Sequence, residues 1–424
     1  MFPITPKPFT MFIPARIIIV SAFFFTSCGA NTGNSSTESR GTAALDTTGS
    51  PVETKKPNTD YKPAFAGQTR IGSVKTTTPY EVKVITKDLN HPWGVTALPD
   101  GRLLVTEKGG DIRIVSISGE ISEPITNLPA VNAAGQGGLL GVTIDPGFAS
   151  NRMVYWTFSD STPEGNLTAV AKGSLSADER KMENVSVIYR ATPAYKGNLH
   201  YGSRIVVDKS GNLVISTGER SDLATRPQAQ ELNSALGKVI RITKDGKPAQ
   251  GNPFIGRDQA RPELYSYGHR NVQGLALHPQ TGDLWESEFG PRGGDEINLI
   301  QPGHNYGWPA ITYGIEYSGE KVGPGNTQQA GLEQPIYYWD PVISPSGISF
   351  YSGNNIPEWN NNLFVGGLSG KHIARLVIKN NKVVGEERLL ADEGQRFRDI
   401  TQGVDGALYA ITDEGRLYQV GGKK

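Results

Sequence analysis

The sequence has little cysteine, histidine or methionine, with one Cys, six His and four Met in 424 residues. One cysteine cannot form an intramolecular disulfide, and no cluster of Cys and His offers a zinc site. Lys and Arg number 42, as do Asp and Glu, and no basic stripe with interleaved aromatic residues occurs. The chain is therefore not a disulfide-stapled domain, and its charge gives no support for a nucleic-acid partner.

Long apolar runs are also missing. The run "IIIVSAFFF" at residues 17–25 is shorter than the about 20 residues that a transmembrane helix needs. Lys7 and Arg16 precede it, and Cys28 follows it in "TSCG", which resembles a bacterial lipoprotein signal. We expect residues 1–27 to be a lipoprotein signal peptide and Cys28 to carry the lipid; an ordinary signal peptide with a stray cysteine is the alternative.

The chain after Cys28 is rich in Ser, Thr, Gly, Asn and Pro up to about residue 63. Such a composition is typical of a disordered linker, so residues 28–79 are expected to be a tether and residues 80–424 the folded domain. With this signal and tether, the protein would be exported and would face the periplasm or the surface of a bacterium. Its only membrane contact would be the N-terminal lipid anchor.

Glycine (51 residues) and proline (28 residues) are abundant, which favours many tight turns. A turn of Pro, Asp, Gly or Asn followed by a short β-rich run occurs six times. The six units occupy residues 98–115, 145–160, 208–219, 278–290, 357–378 and 403–420. They predict an all-β protein, a six-bladed β-propeller with four-stranded blades. A pair of β-sandwiches is the alternative, but it does not explain one unit repeated along the chain. The best helix candidate is the short stretch "PQAQELNSALGKVIRI".

Three loops combine residues that could carry chemistry. "GPRGGDE" (290–296) offers backbone carbonyls and carboxylates, the hard oxygen ligands that Ca²⁺ prefers; a solvated acidic turn is the alternative. "GHRN" places Arg270 beside Asn271, and both can donate to an oxygen-rich ligand. In "GQRFRD", Arg396 and Arg398 alternate, so in a strand they share one face, which is unfavourable unless an anion meets them. Solvated arginines at a sheet edge are the alternative for this pair.

Six motifs occur in one order along the chain: "AGQGGLLG", "GNLHYGSRIVVD", "YGHRNVQGLALHP", "EFGPRGGDEINLI", "NYGWP" and "GQRFRD". Together they resemble the soluble glucose and aldose sugar dehydrogenases that use pyrroloquinoline quinone (PQQ). The resemblance covers about residues 80–420 and implies a six-bladed propeller, in agreement with the turns. It implies oxidation of the anomeric carbon of an aldose to a lactone, with electrons passed to an external acceptor.

The resemblance also implies roles for individual residues. His200 would be the general base, and Arg270 would stabilise the charge that develops on the quinone. The implied PQQ contacts are Gln136, Arg270, Asn271, Arg396 and Arg398, with Lys371 as a further candidate. The implied Ca²⁺ ligands are the backbone carbonyls of Gly290 and Pro291 beside the cofactor, and Glu296, Tyr306 and Glu316 at a second, structural site.

Two positions depart from the family pattern. Ser369 stands where a lysine is common, which leaves open the cationic contact of Lys371, and Leu199 replaces a polar residue before His200. Two other functions stay open: a non-catalytic Ca²⁺-binding propeller that binds a protein or glycan, and a Ca²⁺-dependent hydrolase resembling a lactonase. Neither of them needs the combination of His200, Arg270, Asn271 and Arg396.

Overall fold

The computed structural model describes residues 49–422, and these residues form an almost entirely β-stranded protein. Six antiparallel sheets follow one another along the chain. The first strand of each sheet contacts the first strand of the next, and the sixth contacts the first. The sheets therefore close into the six-bladed propeller that the turns predicted.

The blades are numbered in chain order, and strand β1 (Tyr80–Thr86) joins the last of them. Blade 1 contains β2 (Pro92–Ala97), β3 (Leu103–Glu107) and β4 (Asp111–Val115). Blade 2 contains β5 (Leu139–Ile144), β6 (Met153–Thr162), β7 (Gly165–Leu175) and β8 (Met182–Arg190). Blade 3 contains β9 (Ile205–Val207), β10 (Leu213–Ser216), β11 (Lys238–Ile242) and β12 (Leu264–Tyr267).

Blade 4 contains β13 (Val272–Leu277), β14 (Leu284–Glu288), β15 (Asp295–Ile300) and β16 (Tyr337–Trp339). Blade 5 contains β17 (Pro345–Phe350), β18 (Leu363–Gly367), β19 (His372–Lys379) and β20 (Lys382–Leu389). Blade 6 contains β21 (Phe397–Gln402), β22 (Leu408–Thr412) and β23 (Leu417–Gly422), followed by β1 as its outer strand. In blade 1 the place of the fourth strand is taken by two isolated bridges to β4, from Ile121 and Ile125.

The ring is closed by the two ends of the propeller domain. Strand β1 pairs antiparallel with β23, with Tyr80 opposite Gly422 and Val84 opposite Tyr418. A strand from the start of the domain thus completes the blade at its end. This pairing covers one edge of the last blade, an edge that would otherwise be open to a second chain.

Each of the six turn-and-strand units falls in a different blade, at the turn between its first and second strands. The six blades surround a central channel. The first strands of all blades start at one end of this channel, here called the near end, and finish at the other, here called the far end. Because the repeated turns follow the first strands, they lie at the far end. The connections that lead into the first strands, and the turns between second and third strands, gather at the near end, where loop lengths vary.

The core consists of layers between neighbouring blades. One cluster joins Leu104 and Ile112 of blade 1 to Leu139 and Trp156 of blade 2, all buried. Similar clusters join blades 4 and 5 and blades 5 and 6. The alternating side chains of each sheet therefore pack against the next sheet, which fixes the blades that carry the near-end loops.

Helices are few and short in the described part of the chain. The α-helix α1 spans Phe148–Asn151, and 3-10 turns span Arg226–Ala229, Pro357–Trp359 and Ala391–Glu393. The expected helix at residues 227–242 forms only the first of these turns and then strand β11; its final "KVIRI" has the β-branched residues that favour a strand. Within residues 49–422, no helix has the length and apolarity needed to cross a membrane.

Residues 49–79 differ from the disordered tether expected there. They lie against blades 4 and 5, where Gln68 is fully buried and Glu53 pairs with Arg388 at 2.9 Å. The hydrophilic composition misled the prediction, because this segment is held by many hydrogen bonds, with Ile71 packed against the core of blades 4 and 5. The expected signal peptide and Cys28 lie outside the described residues.

Candidate functional site

A cavity of about 630 Å³ opens at the near end of the channel, and loops from blades 1 to 6 contribute to its wall. Four side chains singled out in the sequence line it: Gln136, His200, Arg396 and Arg398. Other residues of its wall include Trp93, Lys108, Tyr201, Gln273, Phe289, Tyr317, Leu368, Asp413 and Glu414. The volume is typical of a small-molecule site, and the polar residues converge on it.

His200 lies in the loop that leads into β9 and is buried. Its φ of +48° is in the left-handed region. Its backbone N–H donates to Oε1 of Gln136 at 2.8 Å, and its Nδ1 lies 2.8 Å from Oε1 of Glu219. Because an ionised carboxylate can only accept, this contact places the ring proton on Nδ1. The other ring nitrogen, Nε2, is then left with a free lone pair.

The pKa of His200 is lowered to about 4. Burial is the main cause, and the positive charge of Arg270 adds to it, while the hydrogen bond and charge of Glu219 oppose it. His200 is therefore neutral at pH 7, the form that a general base requires.

Arg396 and Arg398 meet a carboxylate of the protein itself. Asp413, in the turn between β22 and β23, accepts from Arg396 Nε at 2.8 Å and from Arg398 Nε at 2.7 Å. Burial works against ionisation of Asp413, but the two guanidinium groups outweigh it and lower its pKa. The two arginines share one face, as the alternation predicted. Together with Asp413 they carry one net positive charge at the cavity wall.

Arg270 and Asn271 lie behind the cavity, just before β13, and both are buried. Arg270 Nη1 donates to the carbonyl of Gly290 at 2.9 Å, and its guanidinium lies 5.1 Å from the ring of Trp308. Asn271 Oδ1 accepts from the N–H of Gly202 at 3.0 Å. Two buried donors, Arg270 Nε and Asn271 Nδ2, have no partner among the described residues. Such unpaired buried donors indicate a ligand with oxygen acceptors.

The loop Gly290–Gly294 is fixed by the buried carboxylate of Asp295. This carboxylate accepts from the N–H groups of Gly290 at 2.9 Å, Ile343 at 2.8 Å and Ser344 at 2.7 Å. Burial raises the pKa of Asp295 to about 7, although these hydrogen bonds oppose the shift. Asp295 thus joins the metal-binding candidate loop to the connection that leads into blade 5.

A second group of predicted ligands lies deeper in blade 4. A small pocket is lined by Glu288, Glu296 and Tyr306, together with Gly290 and Arg270. Glu286 is beside it, and its Oε2 atom has no hydrogen-bond partner among the described residues. Burial and the charge of Glu288 raise the pKa values of Glu286 and Glu296 well above their usual range. Several carboxylates held this close are a donor set suited to a divalent cation.

Two predicted residues lie apart from these groups. Glu316 does not line the small pocket, and its carboxylate pairs with Arg226 at 2.5 Å. Lys371 is exposed and does not line the cavity. Near it, the Ser369 hydroxyl lies 2.8 Å from that of Ser344, which does line the cavity. Leu199 is 42% exposed beside His200.

The sequence did not single out four of the residues that organise the site: Glu219, Asp413, Arg204 and Asp399. Arg204 Nη1 lies 2.6 Å from Asp399 Oδ2, and both side chains are buried in the channel below the cavity. The guanidinium of Arg204 also lies 4.2 Å from the ring of Trp93. The sequence did contain a signal for this ion pair, because Arg204 belongs to the motif "GNLHYGSRIVVD" and Asp399 ends the motif "GQRFRD".

Fold and site together define a β-propeller with a buried His–Glu pair and clustered arginines at one mouth of its channel. The family model for glucose/sorbosone dehydrogenases matches residues 89–419, and the chain belongs to this family. It is 42% identical over 344 residues to the aldose sugar dehydrogenase YliI of Escherichia coli K12, covering 80% of this chain and 92% of that protein.

Solved structures agree with this assignment. The apo-form of the soluble aldose sugar dehydrogenase of Escherichia coli has a TM-score of 0.77 at 40% identity, with 81% of this chain and 100% of that chain covered. The PQQ-bound form of aldose sugar dehydrogenase from Streptomyces coelicolor has a TM-score of 0.68 at 30% identity, with 82% and 100% covered. The match includes nearly the whole length of these relatives and therefore their complete propellers.

Proposed function

We propose that this protein oxidises the anomeric carbon of an aldose to a lactone, with PQQ as redox cofactor, and passes the electrons to an external acceptor. The observation that carries the proposal is the buried pair His200–Glu219, in which His200 lines the same cavity as Arg396 and Arg398. A neutral base beside clustered cations suits proton abstraction next to an anionic cofactor.

The chemistry of the cavity fits PQQ, an ortho-quinone that carries three carboxylates. Arg396 and Arg398 can pair with carboxylates, and Gln136 lies on the same wall. The unpaired donors Arg270 Nε and Asn271 Nδ2 suit quinone oxygens. These five residues would hold the cofactor. Lys371 is omitted from this set because it is exposed and lies outside the cavity wall.

The residues suit Ca²⁺ better at the structural site in blade 4 than beside the cofactor. The carboxylates of Glu288 and Glu296 beside Tyr306 form an oxygen-rich pocket, to which Glu316 does not contribute. At the cofactor, the carbonyl of Gly290 already accepts from Arg270 Nη1 at 2.9 Å. We propose Ca²⁺ binding at both places, with Gly290 and Pro291 as carbonyl ligands beside the cofactor. Beside the cofactor, the Gly290 carbonyl can keep its hydrogen bond from Arg270 Nη1 and use its second lone pair for the ion.

In the proposed reaction, Nε2 of His200 removes the proton of the anomeric hydroxyl. Glu219 holds the Nδ1–H group, so the imidazole keeps its tautomer and the imidazolium that forms is stabilised. When bound, PQQ would supply the redox chemistry, as the acceptor of the hydride from the anomeric carbon. Loss of one proton and one hydride from the sugar gives the lactone. Arg270, next to the unpaired Nδ2 group of Asn271, would place positive charge where negative charge develops.

The test uses the purified full-length protein in mild detergent. PQQ and Ca²⁺ are added, and reduction of an electron-accepting dye is followed across a panel of aldoses. Turnover that requires both additions supports the proposal. Absence of PQQ binding would overturn it and leave a Ca²⁺-binding propeller for a protein or glycan. Lactone hydrolysis that requires Ca²⁺ alone would show a lactonase instead.

We also propose that the protein is exported and anchored by a lipid on Cys28, because the N-terminal 28 residues have the pattern of a lipoprotein signal. Mass spectrometry of the N-terminal peptide from a bacterial membrane fraction tests this directly. A diacylglyceryl-modified Cys28 at the N-terminus is expected. An N-terminus at another residue, with Cys28 removed or unmodified, would contradict the anchor.

A further inference from the structure

Residues 49–79, here called the strap, precede the range matched by the family model and contact the loops around the site. The strap begins and ends beside blade 5, where Pro51 bridges to Gly72 and Ser73 bridges to Glu386 of β20. Between these points it reaches blade 4, and from there it returns to β1. The strap is thus an ordered addition to the family's domain, and its middle part lies near the cavity mouth.

The middle part of the strap surrounds one buried carboxylate, that of Asp340. Oδ1 accepts from the backbone N–H and from Nδ2 of Asn58, both at 2.8 Å. Oδ2 accepts from the backbone N–H and from Oγ1 of Thr59, both at 3.1 Å. In the described part of the chain, these four donors are all that the Asp340 carboxylate has. A buried carboxylate without such donors is costly, so the strap stabilises this position.

Asp340 in turn lies directly behind the loop Gly290–Gly294. A Cβ atom added to Gly293 would lie 3.0 Å from Asp340 Oδ1, so carboxylate and loop backbone are in close contact. The N–H of Gly294 donates to the carbonyl of Trp339 at 2.9 Å, and Arg292 Nε donates to Asn58 Oδ1 at 3.3 Å. The strap therefore contacts this loop both directly and through the segment that carries Asp340.

The strap also holds the long loop that forms part of the cavity mouth. Gln68 Nε2 donates to the carbonyl of Pro335 at 2.9 Å, and the hydroxyl of Tyr313 donates to Gln68 Oε1 at 3.1 Å. These two contacts lie at opposite ends of the segment 313–335. Tyr317, which is 71% exposed and lines the cavity, belongs to this segment.

We propose that Asn58 and Thr59 are positioning residues of the site. Through Asp340 they hold the loop Gly290–Gly294, and with it the Gly290 carbonyl that accepts from Arg270. The proposal that Asn58 and Thr59 restrict motion of the loop depends only on the contacts described. Their proposed effect on PQQ affinity rests on the function proposed above. The segment before the propeller is then part of the active-site architecture.

The test compares two double variants of the full-length protein. Asn58→Ala with Thr59→Ala removes two side-chain donors from Asp340 and keeps two backbone donors. Thr77→Ala with Thr78→Ala is the matched control, because it removes two hydroxyl donors, at 3.1 and 2.5 Å, from Glu358 and also keeps two backbone donors. Glu358 lies in the turn between β17 and β18, at the far end of the channel.

The first measurement is hydrogen–deuterium exchange of peptides covering residues 289–295 in cofactor-free protein. Exchange should be faster by about tenfold in the Asn58/Thr59 variant and unchanged in the control. Equal exchange in both variants would overturn the proposal. If the double variant does not fold, Thr59→Val and Thr59→Ser take its place, and only Thr59→Val should accelerate exchange.

The second measurement is the dissociation constant for PQQ in the presence of Ca²⁺. It should rise by about tenfold in the Asn58/Thr59 variant alone. An unchanged constant, or the same rise in the Thr77/Thr78 control, would overturn the link between strap and cofactor. Failure of the unmodified protein to bind PQQ would refute the proposed function, whereas the exchange experiment would still decide the role of the strap in holding the loop.

Discussion

The Nδ1 atom of His200 lies 2.8 Å from Oε1 of Glu219; both side chains are buried, and His200 lines the cavity. The two residues come from different strand connections of blade 3, the one before β9 and the one after β10. The fold therefore orients the imidazole through a carboxylate on the neighbouring connection, and Nε2 is the nitrogen available to a substrate.

His200→Gln should strongly lower the rate of the proposed sugar oxidation while PQQ still binds. Loss of a general base lowers turnover by about 10²–10⁴-fold, and Gln has no titratable nitrogen to replace it. Steady-state kcat and a PQQ titration check the two parts. His278→Gln, in the far-end turn between β13 and β14, is the control and should keep full activity. Comparable turnover in the two variants would remove His200 from the mechanism.

The imidazole of His200 should titrate near pH 4 in the cofactor-free protein, because burial lowers its pKa to that value. Glu219 opposes this shift, so Glu219→Gln should lower the midpoint further. Observation of the histidine ring signals by NMR during an acid titration measures both midpoints. A midpoint near 6.5 in the unmodified protein would contradict the buried His–Glu arrangement.

Arg398→Gln should weaken PQQ binding by about tenfold or more, because the proposed charge-assisted contact to a carboxylate of PQQ is lost. Arg398→Lys should restore little of the lost PQQ affinity. An ammonium group cannot reproduce the forked contacts of Arg398 with Asp413 at 2.7 and 3.1 Å. Fluorescence titration gives the dissociation constants. Arg102→Gln serves as control, since Arg102 pairs with Asp100 and Glu179 outside the cavity. Full recovery in the lysine variant would show that charge alone is needed.

Asp399→Asn should destabilise the folded protein by about 3–5 kcal/mol, because it leaves the buried charge of Arg204 without its partner at 2.6 Å. Adding Arg204→Met to Asp399→Asn should recover part of this loss. Urea unfolding followed by tryptophan fluorescence gives the free energies. A loss below 1 kcal/mol in Asp399→Asn would mean that the pair does not stabilise the channel.

His372 should make stability depend on pH between 7 and 5. Burial lowers its folded-state pKa to about 4, so the unfolded chain binds a proton at higher pH than the folded one, and stability falls as the solution is acidified. The contribution lost between pH 7 and pH 5 is about 2 kcal/mol. Urea unfolding at both pH values should show this difference between the unmodified protein and His372→Gln. Parallel losses in the two proteins would assign the pH dependence to other groups.

The sequence predicted the repeating part of the fold well, since each of its six turn units starts the second strand of a blade. Hairpin turns depend on neighbouring residues, so a single sequence reveals them. The helix expected at residues 227–242 was wrong because its final residues, the β-branched "KVIRI", form strand β11, which pairs with β10 and β12. The order of the strap was missed because it depends on partners such as Asp340, which is about 280 residues away in the chain.

The candidate site was predicted in part. His200, Gln136, Arg396 and Arg398 meet in one cavity, as their motifs implied. Glu219 and Asp413 were missed because each lies on a different strand connection from its partner, and only the folded blades bring them together. Lys371 was placed by its distance from Ser369 along a motif, and Glu316 by the family resemblance alone. Neither determines where a side chain ends up in three dimensions.

Pairing of β1 with β23 has a consequence for the order of assembly. The outer strand of blade 6 is synthesised before all other strands and its neighbour after all others, so the ring cannot close until synthesis has reached Gly422. A chain that stops before Leu417 lacks the partner of β1 and leaves both the N-terminal strand and blade 6 with open edges. Such fragments expose strand edges that can pair with other chains. Synthesis of the six residues of β23 thus separates a closed ring from an intermediate with open strand edges.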